Sequence, residues 1–416
     1  MSEALENIVS DMSDIMKERT LRLDFSEAPL KNRAFSEKPM SFVDEAPKAL
    51  FGAIIDVVAI ETGNRAAREH WQHKQLHNLL QHAAQRSAFW RERIGAKNIK
   101  GISLSDLPVL TRSDVVRQVE TEGSLLANGP IATKSHATSG SSGMPVRFFI
   151  SQMSVDYNIV RSIAQYFIEG RDLTFNNTLF KSSTRNLTKA GFTVEHTTGW
   201  LGPLNSLFKS GDLKKITHSH PNRDLLFKEL TKDPIGHLIA QPSLIESLFY
   251  DDDMSFLCEN GTKMFIPTGE VAENSLRDKF AAVGIPVRAN YSSEEAGLIA
   301  AECKDCPENF HVAQSNVIVE VDNRDSVVVD GNRLGRVLVT HLHSYATPFI
   351  RYDIGDFATL SETCECGHDG QALSNICGRK NGLLSTQTGV FPGLDSACDE
   401  SWKLSNVTNI ALGKPH

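Results

Sequence analysis

A run of small residues near position 140 is the part of this sequence best suited to hold phosphate groups. It consists of Thr138, Ser139, Gly140, Ser141, Ser142 and Gly143, followed by Met144 and Pro145. Such a loop presents backbone N–H groups and hydroxyl groups close together, and both bind polyphosphates. The spacing differs from the Walker motif, because no Gly-Lys-Ser/Thr follows. Since the same composition is also typical of a flexible turn, the downstream residues must decide between the two interpretations.

Four further motifs follow this loop, and each carries a side chain able to contact a nucleotide or its metal ion. They are Pro-Thr-Gly-Glu ending at Glu270, Asn-Tyr-Ser-Ser-Glu-Glu with Tyr291 and Glu295, Arg-Tyr-Asp-Ile-Gly-Asp ending at Asp356, and Cys-Gly-Arg ending at Arg379. Glu295 is a hard oxygen ligand of the kind that Mg²⁺ prefers. Asp356 can accept hydrogen bonds from both ribose hydroxyls, and Arg379 supplies a permanent cation for ribose or phosphate oxygens.

Taken in order, the five motifs resemble the acyl-adenylate-forming superfamily, and within it the phenylacetate–CoA ligase-like branch. The resemblance extends over about residues 65–393. It implies a large layered α/β adenylation core, ATP and Mg²⁺ as cofactors, and conversion of a carboxylic acid to an acyl-AMP with release of pyrophosphate. The implied catalytic residues are Glu295 and Arg379. The implied nucleotide-binding residues are Thr138, Ser139, Gly140, Ser141, Ser142, Gly143, Gly269, Glu270, Tyr291 and Asp356.

Several of these residues also have a purely structural explanation. Glu294 and Glu295 could begin a helix, where acidic residues are favoured. Asp356 could cap the turn at Gly355, and Tyr291 could fill the core instead of stacking beside the nucleotide. The Gly-Glu pair of the first motif, expected on the adenine side, could form a plain turn.

Two cysteine pairs and a histidine predict a structural zinc site. Cys303 and Cys306 precede His311, and Cys364 and Cys366 follow after a β-rich segment. Two thiolate pairs of this kind suit tetrahedral Zn²⁺, and four protein ligands would leave no position for a catalytic water, which argues against a zinc-dependent hydrolase. Spacing alone allows either Cys306 or His311. The resemblance implies Cys303, His311, Cys364 and Cys366.

Composition and charge restrict the function classes further. The 416-residue chain carries a net charge of −8, which argues against a nucleic-acid partner. Its longest apolar run, residues 49–60, is interrupted by Asp56 and is shorter than the roughly 20 residues of a membrane span. Seven cysteines, an odd number, and an acidic N-terminus without signal-peptide character predict a cytoplasmic protein with no membrane association.

Hydrophobic periodicity predicts a layered α/β body. Helical patterns cover residues 47–61, 64–94 and 222–230, and a capping box predicts a helix start at Thr111. Apolar runs at residues 317–321, 326–329 and 335–340 predict three successive strands.

The resemblance and the patterns together divide the chain into four segments. These are a leader packing on the body (1–64), an α/β adenylation core (65–290), a β-rich part of the core with the Cys/His cluster (291–380), and a hinge with a short tail (381–416). The mobile C-terminal domain of related enzymes, which brings a lysine to the adenylate, would then be mostly absent. After Gly382 only Lys403 and Lys414 remain as candidates.

The acid and the acyl acceptor stay open at this point. The acceptor could be a thiol, on coenzyme A or a carrier protein, or an amine. The branch favours an aryl or arylacetic acid with coenzyme A. Candidate residues for an apolar pocket wall, which could equally belong to the core, are Phe192, Trp200, Leu204 and Phe208. The alternative function is a nucleotide-binding regulatory protein that has lost catalysis together with its C-terminal domain.

Overall fold

The computed structural model describes residues 44–95, 99–121, 125–126, 133–137, 146–183, 190–250, 253–329, 331–378, 383–386 and 389–392. Some predicted site residues lie outside these ranges and remain predictions, namely Thr138, Ser139, Gly140, Ser141, Ser142, Gly143 and Arg379. Residues 1–43 and 393–416 also lie outside them.

Capping side chains mark the starts of several helices. The α-helices of the described residues are α1 (Glu45–Thr62), α2 (Arg65–Arg86), α3 (Ala88–Ile94), α4 (Arg112–Val116), α5 (Gln152–Ile168), α6 (Arg223–Leu230), α7 (Pro242–Leu248), α8 (Ser255–Glu259) and α9 (Asn274–Ala282). Asn64 accepts a hydrogen bond from the Ala67 N–H at the start of α2. Thr111 and Asp114 form the predicted capping box at the start of α4. Helix α2 buries one apolar face, which consists of Leu76, Leu79, Leu80 and Ala83.

The strands of the described residues form two large sheets and two hairpins. Their bounds are β1 (Thr133–Ala137), β2 (Arg147–Ser151), β3 (Asn177–Ser182), β4 (Phe192–Thr197), β5 (Leu213–His218), β6 (Gly236–Ala240), β7 (Thr262–Pro267), β8 (Asn290–Ser293), β9 (Gly297–Glu302), β10 (Asn309–Val312), β11 (Val317–Val329), β12 (Asn332–His341), β13 (Tyr352–Ser361), β14 (Ala372–Cys377), β15 (Leu383–Thr386) and β16 (Gly389–Pro392). The hairpins are β1–β2 and β15–β16. This mixed α/β architecture confirms the predicted fold class.

The five-stranded sheet has the order β4-β5-β3-β6-β7. All its pairs are parallel except β4–β5 at the edge. Its core includes the stacked rings of Phe265 and Phe280, whose centroids are 4.5 Å apart. Parallel strands end at a common edge, where ligand crevices of open sheets form. Here β6 and β7 end at Ala240 and Pro267, side by side.

The seven-stranded sheet is antiparallel and has the order β11-β12-β13-β14-β10-β9-β8. One prediction about it is wrong. The first two of the three predicted strands are a single strand, β11, because the polar residues between them form an irregularity between Asp322 and Val327 instead of ending the strand.

No helix among the described residues combines the length and the apolar character that a membrane span needs.

Candidate active site

A cleft of about 720 Å³ lies between helix α5 and the two large sheets. The helix forms one wall. The strand ends of β6 and β7, the β8–β9 hairpin and strand β13 provide most of the remaining lining. Ile150 of β2, Arg171 after α5 and His341 of β12 complete it. Three of the residues predicted from separate motifs line this cleft together: Gly269, Glu295 and Asp356.

Gly269 lies just after the end of β7, in the segment that borders the cleft. Its φ of +77° is in the left-handed region, which other residues rarely adopt. The neighbouring Glu270 is directed elsewhere, since its carboxylate accepts hydrogen bonds from the Ser243 N–H at 3.0 Å and the Ser243 hydroxyl at 2.9 Å. These contacts place Glu270 at the start of α7.

Glu295 occupies the turn between β8 and β9, so the alternative of a helix start for Glu294 and Glu295 is wrong. The residue is only 6% exposed although it lines the cleft. The hydroxyl of Tyr352 donates a hydrogen bond of 3.1 Å to Oε1 of Glu295. The hairpin and this bond together hold a carboxylate in the wall of the cleft.

His341, at the end of β12, also lines the cleft and was not identified from the sequence. Its Nδ1 lies 3.2 Å from the carbonyl oxygen of Glu295. Burial, with His343 nearby, lowers the pKa of His341 to about 3. The imidazole is therefore neutral at physiological pH and places no positive charge beside Glu295.

Tyr291 joins two of the predicted motifs. Its ring packs against the core of the seven-stranded sheet, and its hydroxyl donates a hydrogen bond of 2.8 Å to Oδ2 of Asp356. Asp356 lies within strand β13 and not at its end, so capping a turn does not account for its position at the cleft.

The α5 wall of the cleft consists of side chains that hydrogen-bond. Arg161 is 4% exposed, its Nη2 lies 3.5 Å from Oε1 of Glu61, and its Nη1 donates to Oε1 of Gln165 at 3.1 Å. Gln165 in turn donates to Glu169. The polar residues recur at helical spacing directly after the Ser/Gly loop and strand β2, a signal from which the wall could have been predicted.

The four candidate residues for an apolar pocket wall lie in the core. Phe192 is buried among the residues that pack on the five-stranded sheet. Leu204 packs with α1 and α5, against which Trp200 and Phe208 also lie. None of them lines the cleft, so of the two alternatives the core assignment is the one that the structure supports.

The Cys/His cluster lies apart from the cleft, where strands β9 and β10 meet the turn between β13 and β14. The ligand atoms of four residues lie within 4.8 Å of one another: Cys303, His311, Cys364 and Cys366. The Sγ of Cys366 is 3.3 Å from Nε2 of His311. Zn–S bonds of 2.3 Å place tetrahedral ligands about 3.8 Å apart, so this donor set fits one ion. Cys306 packs against the cluster but is not one of the four.

The ring of His368 stacks on that of His311, with centroids 4.2 Å apart and an interplanar angle of 19°. The strand register also brings His311 opposite Ala301 on β9 and Ala372 on β14. Two small neighbours leave the imidazole room to reach the cysteines.

Comparison with known proteins gives one relative by sequence and several by structure. No protein-family model matches the chain. The chain is 22% identical over 332 residues to protein CapK of Staphylococcus aureus. The match covers 76% of this chain and 69% of CapK.

The structural similarity is to 2-hydroxyisobutyryl-CoA ligase. The open conformation of that enzyme, in complex with 2-HIB-AMP and CoA, matches with a TM-score of 0.61 and 18% identity over 80% of this chain and 79% of the ligase. Its postadenylation state with 2-HIB-AMP matches with the same TM-score and identity over 80% of this chain and 72% of the ligase. At this level of identity the match establishes a shared fold.

Proposed function

We propose that this chain, whose fold is that of the acyl-adenylate-forming ligases, activates a carboxylic acid with ATP to form an acyl-AMP and pyrophosphate. The observation that carries the proposal is the meeting of Gly269, Glu295 and Asp356 in one cleft, because they come from three separate motifs. The ligase of the same fold has been solved with an acyl-AMP bound. We further propose that the chain belongs to the phenylacetate–CoA ligase-like branch of these enzymes.

In the reaction, a carboxylate oxygen of the acid attacks the α-phosphorus of ATP, and pyrophosphate leaves with the bonding electrons of the broken P–O bond. Such displacements depend on positioning and charge stabilisation more than on covalent help from the protein. Asp356, held by the Tyr291 hydroxyl, would accept hydrogen bonds from the ribose. Gly269 would border the adenine side, and Glu270 would contribute there only through its main chain, because Ser243 holds its carboxylate at the start of α7.

Mg²⁺, when bound, would neutralise charge on the phosphate oxygens during this step. Glu295 fits its ligand preference, because it is a carboxylate at the cleft with one oxygen already oriented by Tyr352. The neutral His341 beside it leaves that negative charge available to a cation. The Ser/Gly loop, residues 138–143, would hold the phosphates, and Arg379 would complete the nucleotide contacts.

The second half of the proposed reaction transfers the acyl group from AMP to a thiol. We favour coenzyme A, because the ligase of similar fold has been solved with both 2-HIB-AMP and CoA. The thiol would attack the acyl carbon and AMP would leave. A carrier-protein thiol and an amine are the other acceptors that this chemistry allows.

The Cys/His cluster is proposed to be a structural Zn²⁺ site with Cys303, His311, Cys364 and Cys366 as ligands. Four protein ligands would tie β9 and β10 to the turn after β13. The site is separate from the cleft, so its role in this proposal is to stabilise the β-rich part of the core.

The proposed domain division follows the two sheets. The five-stranded sheet falls within residues 65–290. The seven-stranded sheet begins at Asn290, the last residue of that segment, and otherwise lies in the β-rich part at 291–380. Helix α1, in the proposed leader, packs on α5.

ATP–pyrophosphate exchange with a panel of carboxylic acids tests the function directly. Exchange that requires both Mg²⁺ and one class of acid is the expected result. ATP binding without exchange for any acid would overturn the proposal in favour of a nucleotide-binding regulatory protein. If exchange is found, the Asp356→Asn variant should lose most of it. Asp278→Asn, on the exposed side of α9, should retain it.

A further inference from the structure

Helix α5 divides into an apolar face and a polar face, and only the polar face borders the cleft. Val160, Ile163 and Ala164 pack against α1. The residues of α5 that line the cleft all carry a hydrogen-bonding group: Ser154, Asn158, Arg161, Ser162, Gln165 and Tyr166. With the nucleotide on the side of Gly269 and Asp356, this helix is the wall against which the acyl group would lie.

The charges on this wall are already paired within the protein. Arg161 faces Glu61, and Arg171 donates from Nε to Oε2 of Glu169 at 2.6 Å. Gln165 connects the two pairs, accepting from Arg161 and donating to Glu169. The wall is therefore polar but carries no net charge.

Some hydrogen-bonding capacity remains on the same wall. The side-chain amide of Asn158 lines the cleft and offers both donors and an acceptor. The Ser162 hydroxyl donates to the carbonyl oxygen of Asn158 at 2.8 Å, which leaves its own oxygen able to accept. A ligand that covered these groups with hydrocarbon would remove their water without replacing its hydrogen bonds, so a ligand that brings an oxygen atom to this wall is favoured.

A second carboxylate would be a poorer complement than a neutral oxygen. Both arginines already have carboxylate partners, and the lining of the cleft also includes Glu294, Glu295 and Asp356. A further buried negative charge would lack a cation of its own. A hydroxyl or carbonyl group meets the remaining donors and acceptors without that cost.

We infer that the acid activated in this cleft carries a neutral oxygen substituent, a hydroxyl or carbonyl group, in addition to its reacting carboxylate. The inference rests on the proposed function, since it names the substrate class of the same site. It adds an oxygen substituent to the aryl or arylacetic acid that the resemblance to the phenylacetate–CoA ligase-like branch favours.

Two matched series of acids test the inference in ATP–pyrophosphate exchange. Butyrate, 4-hydroxybutyrate and succinate differ only at the terminal carbon. Phenylacetate, 4-hydroxyphenylacetate and 4-carboxyphenylacetate repeat the comparison on a ring. In the series that fits the cleft, the hydroxylated acid should have a kcat/KM about three- to tenfold above both its partners, the value of one net hydrogen bond.

The outcomes separate the inference from the function on which it rests. Exchange that is fastest with butyrate or phenylacetate, or with a dicarboxylate, would overturn the inference and leave acid activation intact. Absence of exchange with all six acids, when ATP is bound, would count against the proposed function and remove the inference with it.

Variants of the wall distinguish recognition from folding. Gln165→Met keeps the length of the side chain and removes its hydrogen bonds. The preference for the hydroxylated acid over butyrate or phenylacetate should therefore fall several-fold. Ser162→Ala should lower it less. Ser206→Ala is the matched control, because Ser206 is exposed outside the cleft and also donates to a local carbonyl. A merely structural effect would lower kcat/KM equally for the hydroxylated acid and for its unsubstituted analogue. If the ratio of these two values stayed unchanged in both wall variants, the inference would be overturned.

Discussion

The hydroxyl of Tyr291 donates a 2.8 Å hydrogen bond to Asp356, although their strands are not neighbours in the sheet. Tyr291 is on the edge strand β8, and three strands, β9, β10 and β14, separate it from β13, which carries Asp356. The sheet must therefore curve enough to bring its edge across to β13. The bond joins two motifs 65 positions apart and orients a carboxylate at the cleft.

Tyr291→Phe should weaken ATP binding without preventing folding. The variant keeps the ring in the core and removes only the donor to Asp356. One net hydrogen bond corresponds to an increase of roughly three- to tenfold in the KM for ATP. The KM is measured in pyrophosphate exchange at saturating acid. Tyr250→Phe, at a tyrosine that is 70% exposed, is the control and should leave it unchanged. Equal KM values for both variants would contradict a role for this bond.

Glu295→Gln should abolish most Mg²⁺-dependent activity. The amide keeps the size of the side chain and can still accept from Tyr352, but it lacks the charge that holds the cation. We expect exchange to fall by about 100-fold, as for other electrostatic groups at reacting centres. A titration of rate against Mg²⁺ measures the effect. Glu246→Gln, exposed on α7, should behave as wild type. Full activity of the Glu295 variant at ordinary Mg²⁺ would remove this residue from the site.

Zinc should be present in stoichiometric amount and should depend on the four clustered ligands. Elemental analysis of protein purified without chelator is expected to find about one Zn²⁺ per chain, as a single four-ligand site requires. Cys364→Ser and His311→Ala should each lower both the zinc content and the melting temperature.

Two cysteine controls sharpen that experiment. Cys306→Ser should retain the metal, because Cys306 is not one of the four residues whose ligand atoms converge. Cys258→Ser, at an exposed and separate cysteine, should also retain it. Zinc lost from the Cys306 variant but kept by His311→Ala would reverse the choice between the two ligands, and wild-type protein without zinc would rule out the site.

His237 should make stability fall in mild acid. Burial, with Arg171 nearby, lowers its pKa to about 4, against an ordinary 6.5, while Asp172 acts in the opposite direction. The folded state therefore binds fewer protons than the unfolded chain below pH 6.5. The contribution of His237 to the free energy of unfolding is fully present above pH 6.5 and is lost as the pH falls towards 4. At pH 5 the loss amounts to about 2 kcal/mol.

Denaturant unfolding at pH 7 and pH 5 measures this contribution. His237 is 2% exposed, and its Nδ1 lies 3.0 Å from Oδ1 of Asn177, a bond that Gln can imitate only in part. His237→Gln should be less stable at pH 7 but should lose less stability between the two pH values. His220→Gln, at an exposed histidine, should reproduce the wild-type difference. An identical pH dependence for all three proteins would contradict the assignment.

The Cys/His cluster shows how much of a site local sequence can predict. Two cysteine pairs and a histidine were recognisable from spacing, but spacing could not choose between Cys306 and His311. The choice depends on the register of β10, which sets His311 between two alanines and close to Cys366. Register is a property of paired strands and is not encoded in the distance between residues along the chain.

The order of five short motifs determined the fold class and named Gly269, Glu295 and Asp356, which do line one cleft. Motifs of this kind are readable because each needs particular residue types at fixed local spacing. The tertiary structure alone decided that Tyr291 meets Asp356 and that the polar face of α5 borders the cleft. Both depend on long-range packing: sheet curvature brings distant strands together, and α1 covers the apolar face of α5, turning Arg161 and Gln165 towards the cleft.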